Sequence, residues 1–192
     1  MKTVMHKLAI ATLVIGSLAV ACQDNAAKPE ESKEIAEDKN EKKFNTDSSE
    51  RNAQFVVDAA AGNYAEIKLA ELAQQKSTNK EIKDIAKMLQ NDHTAALNDL
   101  KILASNKSIS IPAEEPEKAR ENIKDLSEAK PAAFDRKWAD QLMEKHQQTI
   151  TDYEKALNDV TDPDIKNWIS MVLPTIRTHH DKLMAIDSRL KK

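Results

Sequence analysis

Two glycines occur in 192 residues, and one of them, Gly16, lies in a leading apolar run. A chain so poor in residues that tolerate positive φ has little means of building tight hairpins, dinucleotide-binding turns or phosphate loops. Aromatic residues make up only 4%, so a core has to come from Leu, Ile, Ala and Met, which suits packed helices. The length allows one modest domain once targeting and linker segments are set aside. A formal net charge of -3 excludes a strongly basic nucleic-acid binder.

The first segment reads as a processing signal. Lys2 and Lys7 give a basic start, and Leu8 to Val20 is an apolar run of 13 residues, too short to span a bilayer as a stable helix. It ends in Leu18-Ala19-Val20-Ala21-Cys22, which resembles the lipobox of bacterial lipoproteins. That resemblance implies cleavage before Cys22 and lipidation of its thiol and new amino terminus; an ordinary signal peptide is the alternative. Cys22 is the only cysteine, so an oxidising compartment offers it no disulfide partner within the chain. The expectation is an envelope protein attached to the membrane through the lipid on Cys22, at the outer membrane and facing the periplasm. Removing residues 1–21 takes away two lysines and moves the net charge from -3 to -5. Residues 22–49 hold Pro29, many charged residues, and only Ile35 and Phe44 as larger apolar ones. Such a segment buries too little to offset the entropy of ordering, which predicts a flexible charged tether. Residues 50–192 remain as the folded domain.

Within that domain the apolar spacing is helical throughout. A first segment, Asn52 to Lys76, aligns Phe55, Ala59, Gly62, Ala70 and Ala73 on one face. Thr78-Asn79-Lys80-Glu81 reads as a capping box opening a second helix with Ile82, Ala86, Leu89, Ala96, Leu97, Leu100 and Ala104 at three- and four-residue spacing. Asn106 to Pro112 breaks the pattern, and Pro116 opens a short helix holding Ala119, Ile123 and Leu126. Phe134 to Val160 repeats the long stripe with Leu142, Ile150, Tyr153 and Leu157, and Thr161-Asp162-Pro163-Asp164 caps a last helix running to about Leu190. Pro174 lies inside that last helix and predicts a kink. Four helices about 40 Å long and one short crossover helix make an all-α four-helix bundle the economical fold. The short links pair the helices as antiparallel neighbours, and the longer middle link has room to cross over. That suggests a ferritin-like topology and leaves an up-down-up-down arrangement open. An internal echo accompanies the pairing: Ala86, Leu89, His93 and Leu97 match Ala139, Leu142, His146 and Ile150 in spacing.

Four polar residues interrupt the apolar stripes. At 100° per residue, His93 lies within about 60° of Leu89, Ala96, Leu97 and Leu100. His146 stands in the same relation to Leu142, Ile150 and Tyr153, and His179 shares its face with Val172, Ile176, Leu183 and Ile186. Glu66 aligns with Ala59, Gly62, Ala70 and Ala73. Each sits within about three residues, or about 4.5 Å of axial rise, of its helix midpoint, so antiparallel packing would gather all four in one layer. Three imidazoles and a carboxylate suit a Zn, Cu or Fe ion, and a cation would neutralise a buried carboxylate that is otherwise costly. Asp92, Tyr153 and His180 lie close enough to support the ligands; His180 would replace His179 if the proline rotates the helix. The bland alternative is a metal-free Glu-His layer that only sets helix register. Met88, Met143, Met171 and Met184 read as gap fillers in the core. No catalytic serine, zincin or cysteine-pair motif occurs.

In order and spacing, Asp58-Ala59-Ala60 and Glu66, then Asp92-His93, Phe134-Asp135, His146, and Leu173-Pro174 followed by His179 resemble the bacterial family of domains of unknown function 4142, often labelled predicted outer membrane proteins. The resemblance covers roughly residues 50–190. It implies a ferritin-like bundle in the envelope with the glutamate and three histidines as recurring positions, and it favours His179 over His180. It supplies no reaction. Di-iron members of the ferritin-like fold carry two Glu-Xaa-Xaa-His pairs. Here Gln90, Met143 and Ile176 stand three residues before the histidines, which argues against a di-iron ferroxidase. The leading expectation is therefore a lipid-anchored protein binding one transition-metal ion through Glu66, His93, His146 and His179, in metal binding or a stress-related role rather than turnover. A metal-free structural or protein-interaction lipoprotein is the second, and an unrecognised envelope enzyme the third.

Overall fold

Among the described residues the helical spacing of the sequence is realised in six helices. The computed structural model describes residues 31–191: α1 (Ser32–Glu41), α2 (Asp47–Lys76), α3 (Lys80–Asn106), α4 (Glu117–Ser127), α5 (Pro131–Asp159) and α6 (Pro163–Leu190). Cys22 and the signal segment lie outside the described residues. No described helix is long and apolar enough to cross a membrane.

Capping chemistry sets the ends. Thr46 caps α2, accepting from the Ser49 amide. Asn79, not Thr78, caps α3, its side-chain oxygen taking the amides of Glu81 and Ile82. The amide side chain reaches both donors, so the box predicted on Thr78 is not the cap used. Asp162 caps α6 in the same way, with Pro163 in the first turn, where its missing N–H is not needed. Ser108, at φ 57°, turns the chain out of α3, and Ile109 donates back to the carbonyl of Ala104. α6 continues through Pro174 as one helix. The proline lies on its exposed side, where water can serve the freed carbonyl.

α2 packs along α3 and α5 along α6, and the two pairs meet through α3 against α6 and α2 against α5. Two apolar clusters fill the interior. One joins the early part of α2 (Ala53, Val56) to the late parts of α3 and α5 (Leu100, Tyr153) and the early part of α6 (Ile165, Trp168). The other joins the late part of α2 (Leu69, Ala73), the early parts of α3 and α5 (Ile82, Trp138) and the late part of α6 (Leu183, Ile186). Hence α3 and α5 run in the same direction, and residues 107–130 carry the chain back along the whole bundle, with α4 lying on α2 and α5. This is the ferritin-like crossover, and it excludes up-down-up-down.

The expected tether of residues 22–49 is corrected from Ser32 onward. α1 docks on α2 with Ala36 buried and with Lys33 Nζ 2.7 Å from Asp58. Asn40 exchanges two hydrogen bonds with the backbone of Ser110 in the crossover, and Gln54 donates to Glu37. α1 is held by polar contacts rather than an apolar stripe, which is why hydrophobic spacing did not reveal it. Met171 and Met184 are exposed, so only Met88 and Met143 pack against the core as expected.

Candidate metal centre

The two apolar clusters leave a layer between them, and the polar residues occupy it. His93 comes from the middle of α3, His146 from α5 and His179 from α6, with exposures of 5%, 2% and 1%. The residues of the internal echo around His93 and His146 are all buried as well, so the repeated spacing points both stripes inward. Ring centroids are 5.6 Å apart for His93 and His146, 5.3 Å for His93 and His179, and 5.4 Å for His146 and His179. One ring nitrogen from each lies within 4.8 Å of the others.

The outer nitrogen of each ring is held by an oxygen. His146 Nδ1 lies 2.9 Å from the Leu142 carbonyl, which can only accept. His179 Nε2 lies 2.9 Å from the Asp92 carboxylate. His93 Nδ1 lies 3.0 Å from Asn63 Oδ1; the Asn63 amide NH2 donates to the Ala59 carbonyl, which leaves its oxygen to accept from the imidazole. These partners fix the tautomers, so the remaining nitrogens, His93 Nε2, His146 Nε2 and His179 Nδ1, carry lone pairs. All three are buried with no hydrogen-bond partner among the described residues. An oxygen acceptor behind each ring is the arrangement that orients imidazoles for a metal.

Electrostatics agree with neutral rings at His93 and His179. Burial, and then the neighbouring imidazoles of His146 and His179, hold His93 well below the ordinary histidine range. Burial also lowers His179, against the opposing hydrogen bond to Asp92. A neutral imidazole is the form that binds a metal.

Glu66 occupies the same layer on α2, 9% exposed, but it is not part of the group of mutually close ligand atoms. Its Oε2 has no hydrogen-bond partner among the described residues. Burial pushes its carboxyl above the usual carboxylate range, opposed by His146 and Lys145. It lines a groove of about 400 Å³ that also reaches His93. Tyr153 lines the same groove, and burial together with the Glu66 charge raises its phenol; its ring packs against Phe55 and Trp168. Of the three expected supporting residues Asp92 is the one with a hydrogen bond to a triad ring. His180 turns aside, its Nδ1 3.8 Å from Asp181. Asn63 escaped the sequence reading, although it sits one turn before Glu66 and is polar on the edge of an alanine-rich face. Leu142 contributes only a backbone carbonyl, which no residue type reveals.

The donor set fits an ion. A tetrahedral metal with bonds of about 2.0–2.1 Å holds its nitrogens about 3.4 Å apart, so each pair of rings closes by at most roughly 1.4 Å. Three histidines leave one coordination position for another ligand.

The family model described as Domain of unknown function (DUF4142) matches residues 36–186. Among solved structures, the chain resembles one titled "Crystal structure of DUF305 fragment from Deinococcus radiodurans" at a TM-score of 0.64 and 16% identity. That match covers 72% of this chain and 96% of the other, a likeness of fold alone. No curated protein matches the chain.

Proposed function

Because the chain belongs to the DUF4142 family, whose description assigns no activity, we propose its function from the layer itself: the bundle binds one transition-metal ion through His93 Nε2, His146 Nε2 and His179 Nδ1. The observation that carries this reading is the set of three convergent, buried, unpartnered nitrogens, each backed by an oxygen acceptor. Imidazole donors suit zinc, copper and iron. Without an ion, each orphaned nitrogen costs on the order of 1–3 kcal/mol in unmet desolvation, which weighs against a layer that only sets register. Glu66 stands beside the ion and offsets part of its charge. The role is metal binding or buffering in the bacterial envelope rather than turnover. A lipid on Cys22 that holds the domain at the outer membrane is supported by Leu18 to Cys22 and by the absence of any second cysteine.

Elemental analysis of the purified protein, with and without added zinc, copper or iron, tests the reading. One equivalent of metal, lost in His93→Ala and in His146→Ala, is expected. No bound metal, together with a melting temperature that ions leave unchanged, would overturn it. Mass spectrometry of the membrane fraction tests the anchor: a diacylated or triacylated Cys22 is expected, and an unmodified cysteine would refute it.

A further inference from the structure

α3, α5 and α6 each give the triad a histidine; α2 gives it none. The side facing α2 is therefore the open side of the ion. α2 presents two things there. One is the carboxylate of Glu66, nine-tenths buried and unpartnered at Oε2. The other is the groove between α2 and α5, whose apolar walls include Phe55 and Tyr153 and whose inner end reaches Glu66 and His93. At about 400 Å³ the groove exceeds what one water needs and falls in the range of small-molecule sites.

Gly62 supplies a second, independent observation. It sits in the interior of α2, where glycine is a poor choice for helix stability. It lacks a positive φ, and a Cβ added to it would meet nothing within 4 Å. Neither backbone conformation nor close packing calls for glycine at this position. It lines the groove and is exposed to it, so the space left by its missing side chain is the groove itself.

We propose that the α2–α5 groove is the binding site of a small protic oxygen ligand that takes the open coordination position of the triad's ion and hydrogen-bonds to Glu66, with Gly62 keeping the site open. Such a ligand gives a lone pair to the metal and an O–H to the carboxylate. A water, a hydroperoxide or a small hydroxylated molecule has this chemistry. The proposal rests on the metal reading above.

The test loads the purified protein with Co2+, whose visible bands report coordination, and titrates it with acetohydroxamate. A saturable change in the bands is expected. In Gly62→Leu, which fills the groove, Co2+ affinity should stay within about threefold while acetohydroxamate binds at least about tenfold more weakly. In Glu66→Leu, which removes the acceptor, the Co2+-loaded protein should likewise bind acetohydroxamate at least about tenfold more weakly. Gly62→Met serves the same purpose if Gly62→Leu does not fold. A Co2+-loaded wild type whose bands ignore acetohydroxamate overturns the proposal, as does equal acetohydroxamate affinity in the Gly62 variant. A change that appears only after Glu66→Leu also overturns it, because Glu66 would then be the fourth ligand. Failure of the wild type to bind Co2+ at all refutes the metal reading itself and takes the groove proposal with it.

Discussion

Trp138 and the histidine layer lie about two turns apart along α5, and they treat buried polar atoms differently. Trp138 is fully buried, and its one polar atom, Nε1, donates to the Leu69 carbonyl at 2.9 Å. Around it Phe134, Leu142, Leu183 and Ile186 close the interior with apolar side chains. The unpartnered oxygens of this half, Asp135 Oδ1 and Asp187 Oδ1, belong to carboxylates outside that apolar set, and the other Asp187 oxygen accepts from Lys191. In the layer, three ring nitrogens and a carboxylate oxygen lack partners at the same depth. The far apolar half stands between these cases, since the Nε1 of Trp168 is also orphaned although its ring packs against Phe55 and Tyr153. A satisfied indole among apolar side chains marks the core that holds the fold. Concentrated dissatisfaction marks the part poised for something from outside.

Substitutions in the two regions should therefore fail in different measurements. Trp138→Ala should lose about 3–5 kcal/mol in urea unfolding, whether or not metal is present. His146→Ala should weaken metal binding by roughly a hundredfold or more by competition titration, because a three-ligand site loses a ligand, while the helical circular dichroism stays intact. If His146→Ala instead unfolds the protein as Trp138→Ala does, the layer belongs to the core and the contrast collapses. Asp92→Ala leaves all three metal-facing nitrogens in place but releases the His179 ring, and should cost about tenfold in metal affinity. Trp138→Phe should destabilise by about 1 kcal/mol more than Trp168→Phe, since only the first breaks a hydrogen bond; equal losses would erase the difference between the two apolar halves.

The layer also predicts a pH dependence for the metal-free protein. His93 and His179 titrate below the ordinary value of 6.5 in the fold, chiefly through burial. Below 6.5 the unfolded chain takes up protons that the folded chain refuses. Their contribution to stability is thus fully present above 6.5 and is lost as the pH falls below it. Glu66 acts in the opposite sense. Burial raises its carboxyl above 4.5, so above 4.5 the folded state holds the extra proton, and its contribution is lost as the pH rises through the folded value. Denaturant unfolding at a series of pH values should show Glu66→Gln with a steeper loss of stability between 6.5 and 4.5 than wild type. Parallel profiles would remove the electrostatic account of the layer.

Much of this was legible in the sequence for one reason. A helix repeats every 3.6 residues whatever it packs against, so a stripe containing His93, or its echo at His146, reveals which way the ring points. The same rule exposed His179 and placed Glu66 in the layer. It could not rank Glu66 against the histidines, because spacing fixes a face and a height but not the reach of a flexible side chain across an interface. It passed over α1, whose contacts are Lys33 with Asp58 and Asn40 with Ser110. It passed over Asn63 too, whose role depends on a ring contributed by another helix.

By itself, the sequence determined an all-helical chain of paired long helices whose three histidines face inward, since glycine scarcity, capping residues and apolar period are local properties that each segment carries alone. Only the tertiary structure decided that α3 and α5 run in the same direction and that each imidazole is backed by an oxygen from a particular neighbour. It alone also placed Gly62 on an open groove rather than in the buried face where the spacing had put it. Those outcomes depend on how one helix meets another across the bundle. Contacts between residues tens of positions apart are set by the packing of the whole interior, which no single stretch of the chain encodes.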